Sequence, residues 1–471
     1  MAASMRFTSI TVALLYLLYS SVAAAQEEFT VWLNGLKQEA IAAGISDVTV
    51  TASINHIEFM PNVIKLDLAQ PEFISPFLEY YSKRVDALKI ARGRELLVRY
   101  EALLNNIEAQ YGVPKSLLVA FWGMETNYGG YQGDVDTLSS LATLAYDGRR
   151  AEFFRGQLLD AMRMIDAGNA TVDQFHGSWA GAFGHMQFMP TTFITYSVDG
   201  DGDNQIDVVN SVADALASAA NYLSQAGWRK GEPSMIEVQL PENFAWQNAQ
   251  LILRKPIADW ARLGVSVIQC AIQSNSAIEA AKLVQAPITI KKVSAGKKST
   301  RLLIKTVYKK PVKKQIAVIQ MQNNQSASVN PSPNSAFPNI DGQTAILLPQ
   351  GWRGPAFMVF DNFDVIMDWN RSVNYALSVA QLAKRINGEP RIMGGQFAEA
   401  GALTFQQTFE LQAALNTLGF DAGEPDGFPG LQTQAAVLAY PLAQGLPADG
   451  YASPSLFNRL INIQPSDNVM E

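Results

Sequence analysis

The stretch Val119–Asp134, "VAFWGMETNYGGYQGD", sets one carboxylate, Glu125, at the end of an apolar run and just ahead of a cluster of glycines. Pro114 suits the first turn of a helix. Leu118, Phe121, Trp122 and Glu125 then recur at i, i+3, i+4 and i+7, one stripe of that helix. Apolar neighbours and the negative end of the helix dipole both disfavour a charged carboxylate, so both raise its pKa, as a general acid near neutral pH requires. Two plainer readings of Glu125 stand beside this one: an ion pair with Arg149 or Arg150, or a side chain facing water.

Working outward, "RGRELLVRYEALLNNIEAQYG", 92–112, repeats apolar residues at three- and four-residue spacing and predicts helix up to Gly112. Downstream, "GSWAGAFGHMQFMPTTF", 177–193, mixes small residues with Ser178 and Gln187 and with the flat side chains Trp179, Phe183 and Phe188. Hydrogen-bonding groups beside apolar faces suit a sugar, which offers hydroxyl edges and apolar faces; the same mixture suits a tightly packed helix pair. His185 reads as a packed or exposed histidine. "DGDGDNQIDVVN", 199–210, places Asp199, Asp201 and Asp203 at positions 1, 3 and 5 of an EF-hand-like calcium loop, with the carbonyl of Gln205 at 7 and Asp207 at 9. Asn204 replaces the turn glycine but tolerates the left-handed conformation. Asn210 replaces the bidentate acid at 12, which leaves Asp214 to close the shell. The alternative is a turn rich in Asp and Asn with no metal.

The 471 residues suffice for two or three domains, and 48% hydrophobic with 17% charged residues is ordinary for a folded chain. A net charge of −7 argues against nucleic acid as the main partner. Residues 1–25 combine Arg6, a short apolar core from Thr11 to Tyr19 and Ala23-Ala24-Ala25, the pattern of a signal peptide too short to span a bilayer. No cysteine follows it to carry a lipid, and nothing later is long and apolar enough to cross a membrane. The expectation is an exported, soluble, periplasmic protein. The only cysteine, Cys270, has no disulfide partner within the chain.

Between 280 and 338 eleven Lys and Arg residues occur without an Asp or Glu, from Lys282 to Lys314. Two readings stay open: a solvated insertion containing short strands, or a basic arm that holds an anionic polymer. Order returns in "LLPQGWRGPAFMVFDNFDVIMDWNRSVNYALSVAQLAKRI", read as strands and then a helix from about Asn374. A last unit, 404–462, carries amphipathic helical patterns joined by "GFDAGEPDGFPG".

Five ordered motifs, "VAFWGMETNYG", "AYDGRRAEFF", "GSWAGAFGHMQFMPTTF", the Asp-rich loop with "DALASAANYLSQAGW", and "DNFDVIMDWNRSVNYALSV", resemble the membrane-bound lytic transglycosylase B family. The resemblance implies a mainly α, lysozyme-like domain with small β elements over 26–396, interrupted by the basic insertion. It implies cleavage of the MurNAc-GlcNAc β-1,4 bond of peptidoglycan without water, leaving a 1,6-anhydro end. Glu125 would serve first as acid and then as base. Ser178, Gln187, Phe188, Tyr222, Asn370 and Tyr375 match the family's groove positions, and Arg149 and Arg150 match an arginine pair that meets the stem peptide. The family's structural calcium falls on Asp199, Asp201, Asp203, the Gln205 carbonyl and Asp214. The 404–462 unit resembles a three-helix peptidoglycan-binding module; proline at 441 should end its second helix early. Partners implied are glycan strands, stem peptides and, in keeping with that role, other wall-remodelling proteins. Two alternatives remain: a hydrolytic muramidase in which Asp134, Asp136 or Asp147 acts as second carboxylate, or a non-catalytic peptidoglycan-binding scaffold.

Overall fold

The computed structural model describes residues 28–67, 75–268 and 337–462. The signal segment 1–25, Cys270 and the basic stretch 280–338 up to 336 lie outside them. All described residues belong to one unit; a second, Gln269–Ala336, is not among them.

The helix that carries Glu125, α7 (Lys115–Thr126), follows α1 (28–42), α2 (Asp47–His56), α3 (Pro61–Asp67), α4 (Phe77–Arg84), α5 (Ala87–Arg99) and α6 (Glu101–Tyr111). The apolar repeat ending at Gly112 is therefore two helices rather than one. The break falls at Tyr100, where φ −105° and ψ 23° leave the helical region and the ring packs edge-on against Trp122 at 5.9 Å. Gly112 takes the left-handed cap, as its place in the sequence predicts. Pro114 stands at the N-cap of α7, one position before the first turn.

Helix α7 is not the one-striped helix that its spacing suggests. Leu117, Leu118, Val119, Ala120, Phe121, Trp122 and Met124 are all buried, so every face is covered and α7 is the central rod of the domain. Gly123, an expensive residue in mid-helix, is required by close approach: a Cβ there would lie 2.7 Å from the Tyr128 ring. The chain leaves α7 through consecutive left-handed residues, Asn127 (φ 50°), Tyr128 (φ 64°) and Gly129 (φ 77°). The turn is locked by the Tyr128 amide, which donates to Trp122 O at 3.1 Å.

Helices α8 (Thr137–Asp147), α9 (Ala151–Asp166), α10 (Pro190–Tyr196) and α11 (Val212–Gln225) complete the main helical layer. Two short strands, β1 (Val135–Asp136) and β2 (His176–Gly177), pair antiparallel, Val135 opposite Gly177, and bring the glycine-rich 177–193 segment beside the turn after α7. A second sheet is antiparallel throughout, in the order β4 (Lys255–Pro256), β6 (Gln343–Leu347), β7 (Ala356–Val359), β3 (Met235–Gln239), β5 (Ser266–Val267). It joins residues from either side of the basic stretch. On β7, Phe357 and Val359 face the helical core, whereas Met358 joins a smaller core with Val238, Trp260 and Ile346.

After β7 comes a helix the sequence reading did not expect, α13 (Asp361–Trp369), which follows α12 (Ile257–Arg262). Next is α14 (Val373–Ile386), which begins within a residue of its predicted start and packs directly on α7. The C-terminal module consists of α15 (Phe405–Thr417), α16 (Leu431–Ala443) and α17 (Pro454–Ile461) around Leu411, Leu415, Val437, Tyr440 and Phe457. Thr404 and Gln407 form a full capping box at its start. Pro441 does not end α16, which runs on to Ala443. Only two helical residues follow it, and Pro441 O accepts from the Gln444 and Leu446 amides. The chain is thus mainly α, with small sheets and a three-helix module at its C-terminus.

Candidate active site

Glu125 is the penultimate residue of α7 and only partly exposed. Its Oε1 accepts two hydrogen bonds, from the Trp369 indole N–H at 2.9 Å and from the Tyr375 hydroxyl. Among the described residues nothing donates to Oε2. The pKa of Glu125 is pushed up to about 7. Burial is the main cause, partly offset by the Tyr375 and Trp369 hydrogen bonds and by the charges of Arg84 and Lys89. Lys89 itself donates to Gly123 O at 2.8 Å, so its charge is anchored on the same helix. Tyr375 is buried, and burial together with the neighbouring carboxylate keeps its hydroxyl well above the usual phenol range, as a neutral donor.

Trp369 is the centre of an aromatic cluster. Its ring lies 4.6 Å from Phe121, 5.5 Å from Phe188 and 5.1 Å from Tyr222, which meets it edge-on. Phe188 is buried, and Tyr222 is partly exposed. The sequence reading passed over Trp369. Its signal was there, a tryptophan beside Asn370 at the end of an acidic helix, but only the fold brings it to Glu125. Asn370 caps α13 and its Oδ1 accepts from the Ser372 amide at 3.0 Å.

The 177–193 segment is neither a helix pair nor a loose loop. Phe183 and Phe188 exchange backbone hydrogen bonds at 3.0 and 2.9 Å around a tight turn in which Gln187 takes φ 50°. Gln187 Nε2 donates to Gln132 O at 2.8 Å, and Ser178 Oγ accepts from the Ala182 backbone amide at 3.1 Å. His185 is packed: Trp122 donates to its Nδ1 at 3.2 Å, and Thr126 donates to its carbonyl at 2.8 Å. These bonds tie the turn to the end of α7, next to Glu125.

Arg149 and Arg150 do not reach Glu125 as partners. Both pair with Asp67, a buried carboxylate at the end of α3. Of the candidate second carboxylates, Asp136 caps α8 through the Ser139 amide at 2.7 Å and meets His56 Nε2 at 2.7 Å. Asp134 accepts from the Tyr131 hydroxyl at 2.9 Å, and Asp147 is exposed at the end of α8. Among the described residues no carboxylate forms a hydrogen bond with Glu125.

In the acidic loop, Asp199, Asp201 and Asp203 each bring a carboxylate oxygen to within 4.8 Å of the other two. Such spacing fits oxygens that share one calcium ion at about 2.3–2.6 Å. Asn204 holds the left-handed turn at φ 68°. Asp199 accepts from the Gly202 and Asn204 amides at 2.6 and 2.8 Å, which holds its carboxyl below the usual range. Asp214 is not part of that trio. It is buried at the start of α11 and accepts from the Gly200 and Asp207 amides at 2.8 and 2.7 Å, so it braces both ends of the loop.

Comparison with known proteins adds a family to this geometry. The chain belongs to the family described as "Transglycosylase SLT domain", which matches residues 28–295 and 294–384; a "Putative peptidoglycan binding domain" matches 406–460. It resembles SltB3 of Pseudomonas aeruginosa, solved in complex with NAG-anhNAM-pentapeptide, at 36% identity and TM-score 0.73, over 92% of this chain and 99% of that one. A SltB3 complex with NAG-NAM-pentapeptide matches at 35% identity with the same TM-score and coverage. Membrane-bound lytic murein transglycosylase B of Escherichia coli (strain K12) is 37% identical over 157 residues, 33% of this chain and 43% of that protein, so this chain matches less than half of that relative's length. Escherichia coli Slt35, solved in complex with calcium, shares the fold at 23% identity and TM-score 0.54, over 75% of this chain and 92% of that one.

Proposed function

We propose that this protein is a lytic transglycosylase that cuts the MurNAc-GlcNAc β-1,4 bond of peptidoglycan and leaves a 1,6-anhydro-MurNAc end, with Glu125 as its one catalytic carboxylate. The observation that carries the reading is the asymmetric engagement of Glu125. Oε1 is held by Trp369 and Tyr375, and Oε2 is left for the substrate. A carboxyl with a pKa near 7 can both give and take a proton near neutrality. Protonated Glu125 gives its proton to the glycosidic oxygen as the C1–O bond breaks. The carboxylate then takes the proton of the MurNAc C6 hydroxyl as that oxygen bonds to C1. No water is consumed, and Glu125 returns to its starting state. The substrate's own N-acetyl group would ease the positive character at C1. A hydrolase usually needs a second carboxylate, and Asp134 and Asp136 are engaged elsewhere.

Ser178, Gln187, Tyr222 and Asn370 would line the glycan path, with Phe188 beside Trp369, and Arg149 and Arg150 would meet stem peptides while anchored on Asp67. Asp199, Asp201, Asp203 and the Gln205 carbonyl would hold a structural calcium ion, with Asp214 bracing the loop. On this reading the protein works outside the cytoplasm, which the signal-like segment 1–25 and a wall polymer as substrate support. The test is mass spectrometry of muropeptides released from purified peptidoglycan by wild type and Glu125→Gln. Products one water lighter than hydrolysis products, absent with the variant, are expected. Full-mass reducing ends would mean a hydrolase; no products from wild type would mean a binding protein.

A further inference from the structure

The C-terminal module is built into the body at a close seam, and the seam contains a cavity that has no part in the chemistry at Glu125. The Trp352 amide donates to Asp449 Oδ2 at 2.7 Å, and Gln350 Nε2 donates to Glu399 O at 2.6 Å. The Glu399 carboxylate in turn accepts from the Ser455 amide at 3.0 Å and its hydroxyl at 2.6 Å. Gly351, at φ 70°, admits this approach: a Cβ there would lie 2.9 Å from Asp449 Oδ2 and 3.1 Å from the Tyr451 ring. Within the seam opens a cavity of about 340 Å³ whose lining includes Trp352, Arg353, Glu399, Asp449, Tyr451 and Arg459. That is the size of a small-ligand pocket.

Its charges are unevenly used. Both acids are occupied: Glu399 by Ser455, and Asp449 by the amides of Trp352 and Tyr451. Neither arginine has a carboxylate partner among the described residues. The Arg353 guanidinium lies 4.7 Å over the Trp352 ring, and Arg459 stands exposed in the last turn of α17. Trp352 is 40% exposed. The cavity therefore presents two guanidinium groups without a carboxylate partner, one from the body, seated on the Trp352 ring, and one from the module. Guanidinium pairs carboxylate with fixed geometry.

We infer that this seam cavity binds a carboxylate-bearing peptide arm of the peptidoglycan, with Arg353, positioned by the Trp352 ring, and Arg459 gripping its carboxylates. The inference rests on the proposed substrate and adds a second anchoring point to it. A peptide held across the seam would fix the module's grip on the polymer while Glu125 works on the glycan.

Free stem peptides, prepared from purified peptidoglycan and separated from glycan, serve as the probe. They are titrated by calorimetry into the full chain carrying Glu125→Gln, with and without Arg353→Gln and Arg459→Gln together. The double change should weaken binding by about tenfold or more, the worth of one charge-assisted hydrogen bond. The lysine pair Arg353→Lys/Arg459→Lys should recover part of it, and peptides with amidated carboxyls should bind poorly to every form. Equal affinity with and without the arginines, equal binding of amidated peptides, or no peptide binding at all overturns the proposal. Cleavage of whole peptidoglycan by the wild type is scored separately. A protein that cuts but does not hold peptides loses the seam site alone; one that holds peptides through the arginines but does not cut loses the proposed chemistry alone.

Discussion

Trp369 donates its indole N–H to Glu125 Oε1 at 2.9 Å across 244 residues of sequence. The bond fixes which oxygen of the carboxyl is engaged and how easily it ionises. Together with the Tyr375 hydroxyl it stabilises the charged form and holds back a pKa that burial alone would raise further.

Trp369→Phe and Tyr375→Phe should each raise the Glu125 pKa above its value of about 7. A lost hydrogen bond to a charged group is worth about 1.5 kcal/mol, roughly one pH unit. If protonated Glu125 is the acid, kcat/KM falls as pH rises through its pKa, so each variant should keep that limb to higher pH while losing kcat. A pH–rate profile on soluble glycan measures it; an unmoved limb would assign the titration to another group.

The same carboxyl should make the fold dearer at alkaline pH. Below 4.5 Glu125 is protonated in folded and unfolded chains alike. Between 4.5 and about 7 the unfolded chain ionises first, so stability is lost as pH rises, and above about 7 the full cost remains. A rise of that size corresponds to roughly 3 kcal/mol. Glu125→Gln should therefore be more stable than wild type at pH 8, and the gain should vanish by pH 4. Denaturant unfolding at both pH values checks this, and a gain independent of pH would refute it.

Gly123→Ala should cost stability and activity, although alanine is the better helix former by about 1 kcal/mol. The new Cβ would meet a Tyr128 ring that cannot retreat, because it is buried and its hydroxyl donates to Lys89 O at 2.7 Å. Displacing Tyr128 disturbs the left-handed turn that follows Glu125. A higher melting temperature in the variant would show that the turn yields freely.

Chelation should lower the melting temperature of the wild type, and Asp201→Ala should remove the sensitivity. Three carboxylates facing one another repel, and a bound cation reverses that. Identical melts with chelator and with added calcium would rule the ion out.

Much of the helical frame was legible because it is written in local chemistry. The α7 helix and its glutamate, the helix end at Gly112 and the left-handed Asn204 each depend on residues within a turn or two. Where local rules missed, tertiary contact had overruled them. Packing against Trp122 accompanies the break at Tyr100.

The sequence by itself determined where a carboxylate would end an apolar helix, that an acidic loop could turn without glycine, and that a separate small helical unit would close the chain. Tertiary structure alone decided that Trp369 and Tyr375 share one oxygen of Glu125, and that Arg149 and Arg150 are committed to Asp67. It also decided that strands on either side of the basic stretch form one sheet. The reason is physical. Helix periods, caps and turns are set by neighbours along the chain, whereas a pKa and an ion pair are set by whatever the fold brings within a few ångströms, and sequence distance carries no record of that.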